Sequence, residues 1–345
     1  MKALVKYEKG DGKVEIRTVP DPSLPEENWA LIKIHAVGIC GTDIHVWQEK
    51  FQNWPPVILG HEFSGEVVKI GKKVKKVQLG DRVVSEPNTG GCGICDYCRS
   101  GNMHMCPEKL TFGWRIDGAM AEYIAVPDML LHHIPDNVTY IQAALCEPIA
   151  IAVYAVAERG KININDTVLI QGCGPIGLLS AYMAKSLGAK QIIITGIDKS
   201  EAIRLPVALQ LGADFTVNVQ RQNLSEVVNR LTNGRGVDVL IETSGVASAV
   251  SSCVDYVRKQ GKIIALGIPS GELAFPWGNA VLKNLDILFN MSSSYTAWDR
   301  ALDRLAKDTP ILEKLITKVT SLDNWREAFH SLLDEKDIKV IFTFG

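Results

Sequence analysis

The sequence lacks an apolar run long enough to cross a membrane, and it lacks a marked excess of charge of either sign. Its apolar runs, such as 168–170 and 191–195, have the length of strands, whereas a membrane-spanning helix needs about 20 apolar residues. The formal net charge is −2, and the charges are dispersed along the chain. No stripe of cations could follow a nucleic-acid backbone or an anionic membrane surface. We therefore expect neither nucleic acid nor a membrane as a partner.

The sequence also lacks repeats, low-complexity segments and an apolar N-terminal leader, since it begins MKALVKYEKG. These absences argue against a solenoid or a disordered scaffold and predict a cytoplasmic location. With 345 residues, the chain exceeds the usual size of one hydrophobic core, so we expect two domains.

What the sequence does contain is a group of four closely spaced cysteines, Cys92, Cys95, Cys98 and Cys106. They are separated by short polar and glycine-containing segments that suit tight turns, and such spacing allows four thiolates to surround one tetrahedral metal ion. We predict a structural zinc lobe over 90–107. The alternative, two disulfides, is disfavoured in a reducing compartment.

The hydrophobic pattern changes along the chain. The first part alternates short apolar strands with turns, as in a β-barrel, and from about residue 166 the pattern becomes strand, glycine loop and helix. The later strands are continuous apolar runs, which are typical of a parallel sheet covered on both faces. We therefore predict one domain from 1–152 and 288–345, and an α/β nucleotide-binding domain from 153–287.

A glycine loop lies directly after the first strand of that second domain. Gly172, Gly174 and Gly177 fit G-x-G-x-x-G, and Pro175 and Ile176 begin the helix. Backbone N–H groups and the helix dipole can there receive a pyrophosphate. A glycine-rich packing turn is the alternative, but the strand–loop–helix context favours a dinucleotide.

The ribose end of this site is less regular. Gly196 stands where an acidic residue commonly binds the ribose hydroxyls, and Asp198 follows two residues later. Lys199 and Arg204 could instead hold a 2′-phosphate. We expect NAD, with NADP as the alternative, and we include Gly267 among the expected cofactor contacts.

A second candidate metal site combines residues from distant segments. Cys40, His61 and a carboxylate would provide the three ligands and the open position of a catalytic zinc. Glu62 lies next to His61, and Glu147 is the best third ligand from the rest of the chain. Taken singly, each residue has an ordinary structural explanation. The combination favours a metal centre.

These motifs together resemble the zinc-dependent medium-chain alcohol dehydrogenases, in the branch that includes sorbitol and threonine dehydrogenases. The resemblance covers essentially the whole chain and rests on six segments: 38–43, 60–62, 80–83, 92–106, 147–148 and 172–177. It implies an α/β fold with a GroES-like β-barrel catalytic domain and a Rossmann domain with a doubly wound parallel sheet. It also implies two zinc ions per chain, NAD as cofactor and a homo-oligomer, either a dimer or a tetramer.

The resemblance also implies roles for individual residues. Cys40 and His61 would bind the catalytic zinc, with Glu62 and Glu147 sharing the remaining protein position. Zinc would act as a Lewis acid on an alcohol whose hydride passes to the nicotinamide.

The proton of that alcohol needs a route to solvent. Thr42 and His45 match the family's relay, and a histidine suits proton transfer near neutral pH. For His45 the alternative is an ordinary surface histidine at a turn.

Trp47, Phe112 and Trp114 lie where related enzymes line the substrate cleft, although they could equally be core aromatics. After Glu147-Pro148 the chain reads Ile149-Ala150, which matches neither the Gly-Asn of threonine dehydrogenases nor the Leu-Ser of sorbitol dehydrogenases. We expect an enzyme that oxidises a secondary hydroxyl of a polyol, sugar alcohol or sugar-derived acid. The alternatives are an L-threonine 3-dehydrogenase and, in another class, a non-catalytic dinucleotide sensor.

Overall fold

The computed structural model describes residues 1–269 and 271–344. The chain forms two compact units. Unit 1 comprises Met1–Ala150, Ser294–Leu333 and Lys339–Gly345, and unit 2 comprises Ile151–Ser293 and Asp334–Ile338. The sequence-based boundaries at 152/153 and 287/288 lie two and six residues from those of the structure, and the short return of 334–338 to unit 2 was not expected.

The N-terminal part of unit 1 consists mainly of strands. They are β1 (Lys2–Lys6), β2 (Val14–Thr18), β3 (Trp29–Gly38), β4 (Val57–Ile58), β5 (Glu62–Ile70), β6 (Arg82–Ser85), β7 (Asn88–Thr89), β8 (Leu110–Thr111), β9 (Tyr123–Pro127) and β10 (Leu131–His133). The helices are α1 (Gly41–Trp47), α2 (Asp96–Arg99), α3 (Tyr140–Ala143) and α4 (Cys146–Ala152), and α4 continues into wider π-helical turns over Val153–Arg159.

Unit 2 contains a parallel six-stranded sheet. Its strands are β11 (Thr167–Gln171), β12 (Gln191–Gly196), β13 (Phe215–Asn218), β14 (Val237–Glu242), β15 (Val257–Ala265) and β16 (Asp286–Phe289), in the order β13-β12-β11-β14-β15-β16. The helices are α5 (Pro175–Ser186), α6 (Arg204–Gln210), α7 (Leu224–Thr232), α8 (Ala247–Tyr256) and α9 (Trp277–Leu282). Every residue of β11 and β14 is buried, as expected for a sheet with helices on both faces. This strand order is that of a doubly wound dinucleotide-binding sheet.

The chain then returns to unit 1 with α10 (Tyr295–Leu312), β17 (Ile316–Ser321), α11 (Trp325–Leu333) and β18 (Lys339–Thr343). Strand β18 joins the main barrel sheet, whose order is β10-β6-β5-β3-β18-β17, with β9 also paired to β3. The central strand β3 alternates partly and fully buried positions over most of its length, which is the two-residue periodicity of a strand with one face on a core.

One helical stretch of the described residues, Tyr140–Arg159, has the length and apolar composition of a membrane span. This differs from the expectation that no apolar run is long enough to cross a membrane. The most apolar window of this stretch is 72% buried inside the protein. A buried core helix meets the same criteria, so this stretch is weak evidence for a membrane contact.

Candidate active site

Three strands of unit 1 meet where the candidate metal ligands lie. In the antiparallel β3–β5 pair, Gly38 lies opposite Glu62, and Ile341 of β18 also pairs with Gly38. Cys40 follows the end of β3, and Lys339 is the first residue of β18. Residues that are about 300 positions apart in the chain are therefore adjacent where these three strands begin or end.

The donor atoms of Cys40, His61 and Glu62 lie within 4.8 Å of one another. His61 and Glu62 are buried, and Cys40 is partly buried. One thiol, one imidazole and one carboxylate at these separations suit the three protein ligands of a catalytic zinc with an open fourth position. The residues present therefore fit the metal that their spacing predicts.

Glu62 is held by a lysine that the sequence analysis did not identify. The Nζ atom of Lys339 donates to both carboxylate oxygens, at 2.8 and 2.7 Å, and to the carbonyl of Ile39 at 2.9 Å. Both side chains are almost fully buried, with 2% and 1% exposure. A Cβ atom on Gly38 would lie 2.4 Å from Glu62 Oε2, so the close approach of this carboxylate to β3 requires glycine.

Asp43 connects the other two ligands. Its carboxylate accepts hydrogen bonds from the backbone N–H of Cys40, at 2.8 Å, and of Gly60, at 3.1 Å. Its Oδ1 atom lies 3.8 Å from His61 Nδ1. Burial raises the pKa of Asp43, and His61 opposes that shift. Asp43 therefore positions the backbone beside Cys40 and His61, and its place at the end of the segment 38–43 was the only sequence signal for it.

Glu147 lies in α4 and is buried, but among the described residues the cluster of donor atoms does not include it. The pKa of Glu147 is raised to about 7, chiefly because the carboxyl group is buried; the Glu62 carboxylate contributes to the rise, whereas His61 and Lys339 oppose it. Glu147 is therefore electrostatically coupled to the cluster without belonging to it, and Glu62 is the carboxylate better placed for a metal.

The two residues of the expected proton route lie on α1. The side chain of Thr42 is partly buried, with Oγ1 3.7 Å from Cys40 Sγ, whereas His45 is exposed. Although the residue as a whole is exposed, partial desolvation of its ring and, secondarily, the charge of Lys50 lower the pKa of His45. This shift favours the neutral imidazole, which is the form that can accept a proton.

The four lobe cysteines also converge. Their sulfur atoms lie within 4.8 Å of one another, and the backbone N–H groups of Cys92 and Cys95 point at Cys106 Sγ and Cys92 Sγ, each at 3.4 Å. The pKa of Cys106 is lowered to about 7, chiefly by the backbone N–H group of Cys92. All eight cysteines lie in the described residues, and all are free thiols. Four convergent sulfurs with N–H donors fit a closed tetrahedral zinc site rather than two disulfides.

A cavity of about 790 Å³ in unit 2 surrounds the glycine loop. Gly172 and Gly174 line it, and α5 begins at Pro175. A Cβ atom on Gly177 would lie 2.0 Å from the carbonyl oxygen of Gly172, so glycine allows the helix to pack closely on the strand, with Ile176 in the same first turn. This arrangement can receive a pyrophosphate at the helix N-terminus.

At the ribose end, the described lining of this cavity includes Arg204 and Glu335 but neither Asp198 nor Lys199. Asp198 instead accepts hydrogen bonds from the side chains of Arg221 and Asn218, both at 2.7 Å. Glu335 accepts a hydrogen bond from Ser200 Oγ at 2.6 Å and lies 3.4 Å from Arg204 Nη1.

Two glycines near this cavity leave no room for side chains. A Cβ atom on Gly196 would lie within 2.9 Å of three neighbouring side-chain atoms, those of Leu205, Cys173 and Ser200. An acidic residue at that strand end would therefore clash. A Cβ atom on Gly267 would lie 2.2 Å from Glu242 Oε2.

The three candidate substrate aromatics lie in different surroundings. The ring of Trp114 stands perpendicular to that of His61, with centroids 5.0 Å apart. Phe112 is 1% exposed and belongs to the barrel core, whereas Trp47 packs edge-on against Trp325 and Phe329 of the helix α11. Of the three, Trp114 alone has a ring contact with a metal-ligand candidate among the described residues.

Comparison with known proteins agrees with this geometry. The family model for the alcohol dehydrogenase GroES-like domain matches residues 26–136, and the model for zinc-binding dehydrogenases matches residues 175–307. A sorbitol dehydrogenase from Halalkalibacterium halodurans is 36% identical over 99% of both chains. The chain belongs to the zinc-dependent medium-chain alcohol dehydrogenases. It is an NAD(P)-dependent zinc alcohol dehydrogenase.

Two other relatives of this dehydrogenase differ in substrate. A D-arabitol-phosphate dehydrogenase from Enterococcus avium is 38% identical over 93% of this chain and 92% of that protein. An L-threonine 3-dehydrogenase from Burkholderia ambifaria is 35% identical over 99% and 98% of the two chains.

Solved structures confirm the predicted fold class, a GroES-like domain with a Rossmann domain. Galactitol-1-phosphate dehydrogenase from Escherichia coli superposes with a TM-score of 0.90 at 27% identity over the whole of both chains. A zinc-binding dehydrogenase from Sinorhizobium meliloti 1021 bound to NADP gives a TM-score of 0.89 at 30% identity over 99% of both chains.

The two cysteine clusters predict different effects of substitution. We expect wild-type dehydrogenase to contain two zinc ions per chain, and Cys95→Ser and Cys40→Ser each to contain one. Cys95→Ser should also lower the midpoint of thermal unfolding by about 5 °C or more, because the lobe depends on its metal for folding. Cys40→Ser should lower it less.

Atomic emission of zinc and differential scanning calorimetry measure both quantities. Cys253→Ser is the matched control, because Cys253 is buried in unit 2, far in sequence from either cluster, and should retain both zinc ions. A Cys95→Ser protein with two zinc ions and unchanged thermal stability would contradict the structural role of the lobe.

Proposed function

We propose that this dehydrogenase oxidises a secondary hydroxyl of a polyol to a ketone at the site formed by Cys40, His61 and Glu62. The proposal rests on the convergence of these three donor atoms and on the indole ring of Trp114, which packs against His61 and forms the aromatic wall of the site. Aromatic surfaces with a few polar groups suit small polyhydroxylated ligands. The relatives named for sorbitol, arabitol phosphate and galactitol phosphate oxidation support the same substrate class.

The chain's own residues prepare the reaction. Cys40, His61 and Glu62 would hold the catalytic zinc, which would supply Lewis-acid polarisation of the substrate hydroxyl. The Asp43 carboxylate accepts hydrogen bonds from the backbone N–H groups of Cys40 and Gly60, beside the two ligands Cys40 and His61. Lys339 holds the Glu62 carboxylate and compensates its charge.

Proton release follows α1. Thr42 lies next to the ligand Cys40, and the exposed, neutral imidazole of His45 can pass the hydroxyl proton to solvent. A bound NAD(P) would supply the hydride acceptor, so the substrate would lose two electrons and two hydrogens in all.

For the cofactor we propose NAD. Glu335 can accept hydrogen bonds from ribose hydroxyls in place of the carboxylate that Gly196 excludes. The same carboxylate lies 3.4 Å from Arg204 and offsets the cation that a 2′-phosphate would need. The neighbour bound to NADP keeps NADP as the alternative.

We further propose a cytoplasmic homo-oligomer, either a dimer or a tetramer. Strand β16 is the edge of its sheet, and its Phe289 is 73% exposed. An exposed apolar edge favours pairing with another strand. Sedimentation velocity should give a mass of at least two chains, and a monomer at micromolar concentration would contradict this proposal.

The proposed reaction is tested by initial rates on protein with a counted zinc content. We expect NAD reduction with sugar alcohols or their phosphates and at least a hundredfold lower kcat/KM with L-threonine, because an ammonium group and an adjacent carboxylate need specific partners. Preferential oxidation of L-threonine would favour the alternative assignment. Dinucleotide binding without turnover of any compound would favour a sensor.

Replacement of Glu335 tests the cofactor proposal. Glu335→Gln removes the negative charge but keeps the shape, so KM for NAD should rise by about tenfold and KM for NADP should fall. Asp198→Asn is the matched control, because Asp198 does not line the described cavity. If wild-type protein prefers NADP and Arg204→Met removes that preference, the cofactor is NADP.

A further inference from the structure

An arginine that has no acidic partner among the described residues directly follows Trp114 of the candidate active site. Arg115 directly follows Trp114, the residue whose ring contacts His61 at 5.0 Å. Its guanidinium carbon stands 5.1 Å from the centre of the Trp54 ring. The backbone N–H of Trp54 donates to the carbonyl of Trp114 at 2.8 Å. The pair of Arg115 and Trp54 is therefore joined to Trp114 through the backbone.

The charge of this arginine is not used within the protein. In the described part of the chain, no carboxylate lies within ion-pair distance of Arg115, which is exposed. The acidic residue nearest in sequence, Asp117, accepts a hydrogen bond from the backbone N–H of Ile58 through Oδ1. A guanidinium stacked on an indole loses little freedom when it binds an anion, because its planar group is already oriented.

A neutral polyol has no group that needs this cation. The carboxylate of L-threonine is separated from the reacting carbon by only the amino-bearing carbon. Arg115 does not itself contact His61 in the described structure, but follows Trp114, the residue whose ring does. An anion at the far end of a longer substrate is therefore the better match. Arginine binds phosphate through paired N–H donors.

We propose that Arg115, held on the ring of Trp54, binds the phosphate group of a polyol phosphate whose distant hydroxyl is oxidised at the Cys40, His61 and Glu62 site. This inference rests on the proposed function and names its substrate class. The reacting carbon gives a hydride to the nicotinamide, the hydroxyl proton leaves to solvent, and the C–O bond becomes C=O. The phosphate ester is unchanged and serves for binding alone.

The experiment compares D-arabitol 1-phosphate and galactitol 1-phosphate with the unphosphorylated alcohols, using zinc-loaded wild-type, Arg115→Met, Arg115→Lys and Arg17→Met proteins. Arg17 is the matched control, because it is also exposed and stacks on an aromatic ring, that of Tyr7 at 4.5 Å. Wild-type kcat/KM should be about tenfold to hundredfold higher for the phosphates, which is the range expected for a charge-assisted hydrogen bond.

Arg115→Met should raise KM for the phosphates by a similar factor, with kcat and the rates on unphosphorylated alcohols within about twofold of wild type. Arg115→Lys should recover part of the loss. Inorganic phosphate should inhibit wild type competitively and Arg115→Met more weakly. These separate readouts would not follow from a merely structural role.

Three results would overturn the inference: equal rates on phosphorylated and unphosphorylated alcohols, an equal loss on both in Arg115→Met, or a loss on L-threonine instead. Turnover of unphosphorylated polyols alone would refute this inference and leave the proposed function standing. No turnover of any polyol, with or without phosphate, would refute both.

Discussion

The buried ion pair between Glu62 and Lys339 is the interaction on which the candidate active site depends. Its lysine lies at the start of β18 and its glutamate at the start of β5, so the pair joins the two strands that flank the end of β3. With both side chains almost fully buried, removal of one partner would leave an uncompensated charge and cost about 3–5 kcal/mol. The pair therefore couples closure of the barrel sheet to the position of a metal ligand.

The same pair affects the chemistry of the site. A thiolate and a carboxylate together would neutralise the charge of a zinc ion, and Lys339 offsets the carboxylate. More of the metal's positive charge then remains to polarise the substrate hydroxyl. Asp43 acts differently, because its carboxylate holds the backbone N–H groups of Cys40 and Gly60, next to the two ligands Cys40 and His61 in the chain. Charge balance and orientation thus come from different residues.

Much of the fold and the convergence of the candidate metal ligands could be predicted from the sequence, since short motifs report them directly. Cysteine spacing predicted the lobe, and the glycine pattern between a strand and a helix predicted the cavity of unit 2. Lys339, Glu335 and Arg115 could not be found in this way. Their partners are distant in sequence or belong to other elements, and a single lysine, glutamate or arginine is ordinary on any soluble protein. Phe112 and Trp114 illustrate the same limit. They are neighbouring aromatic residues in the sequence, but Phe112 is buried in the core whereas Trp114 is only partly buried.

Anomalous X-ray diffraction at the zinc absorption edge, on crystals of the dehydrogenase, tests the central claim most directly. The account predicts two peaks per chain. One should lie among the sulfurs of the lobe, and the other should be bound by Cys40, His61 and a carboxylate oxygen of Glu62 that keeps its contact with Lys339. A single peak in the lobe, or a second peak away from Cys40 and His61, would contradict it.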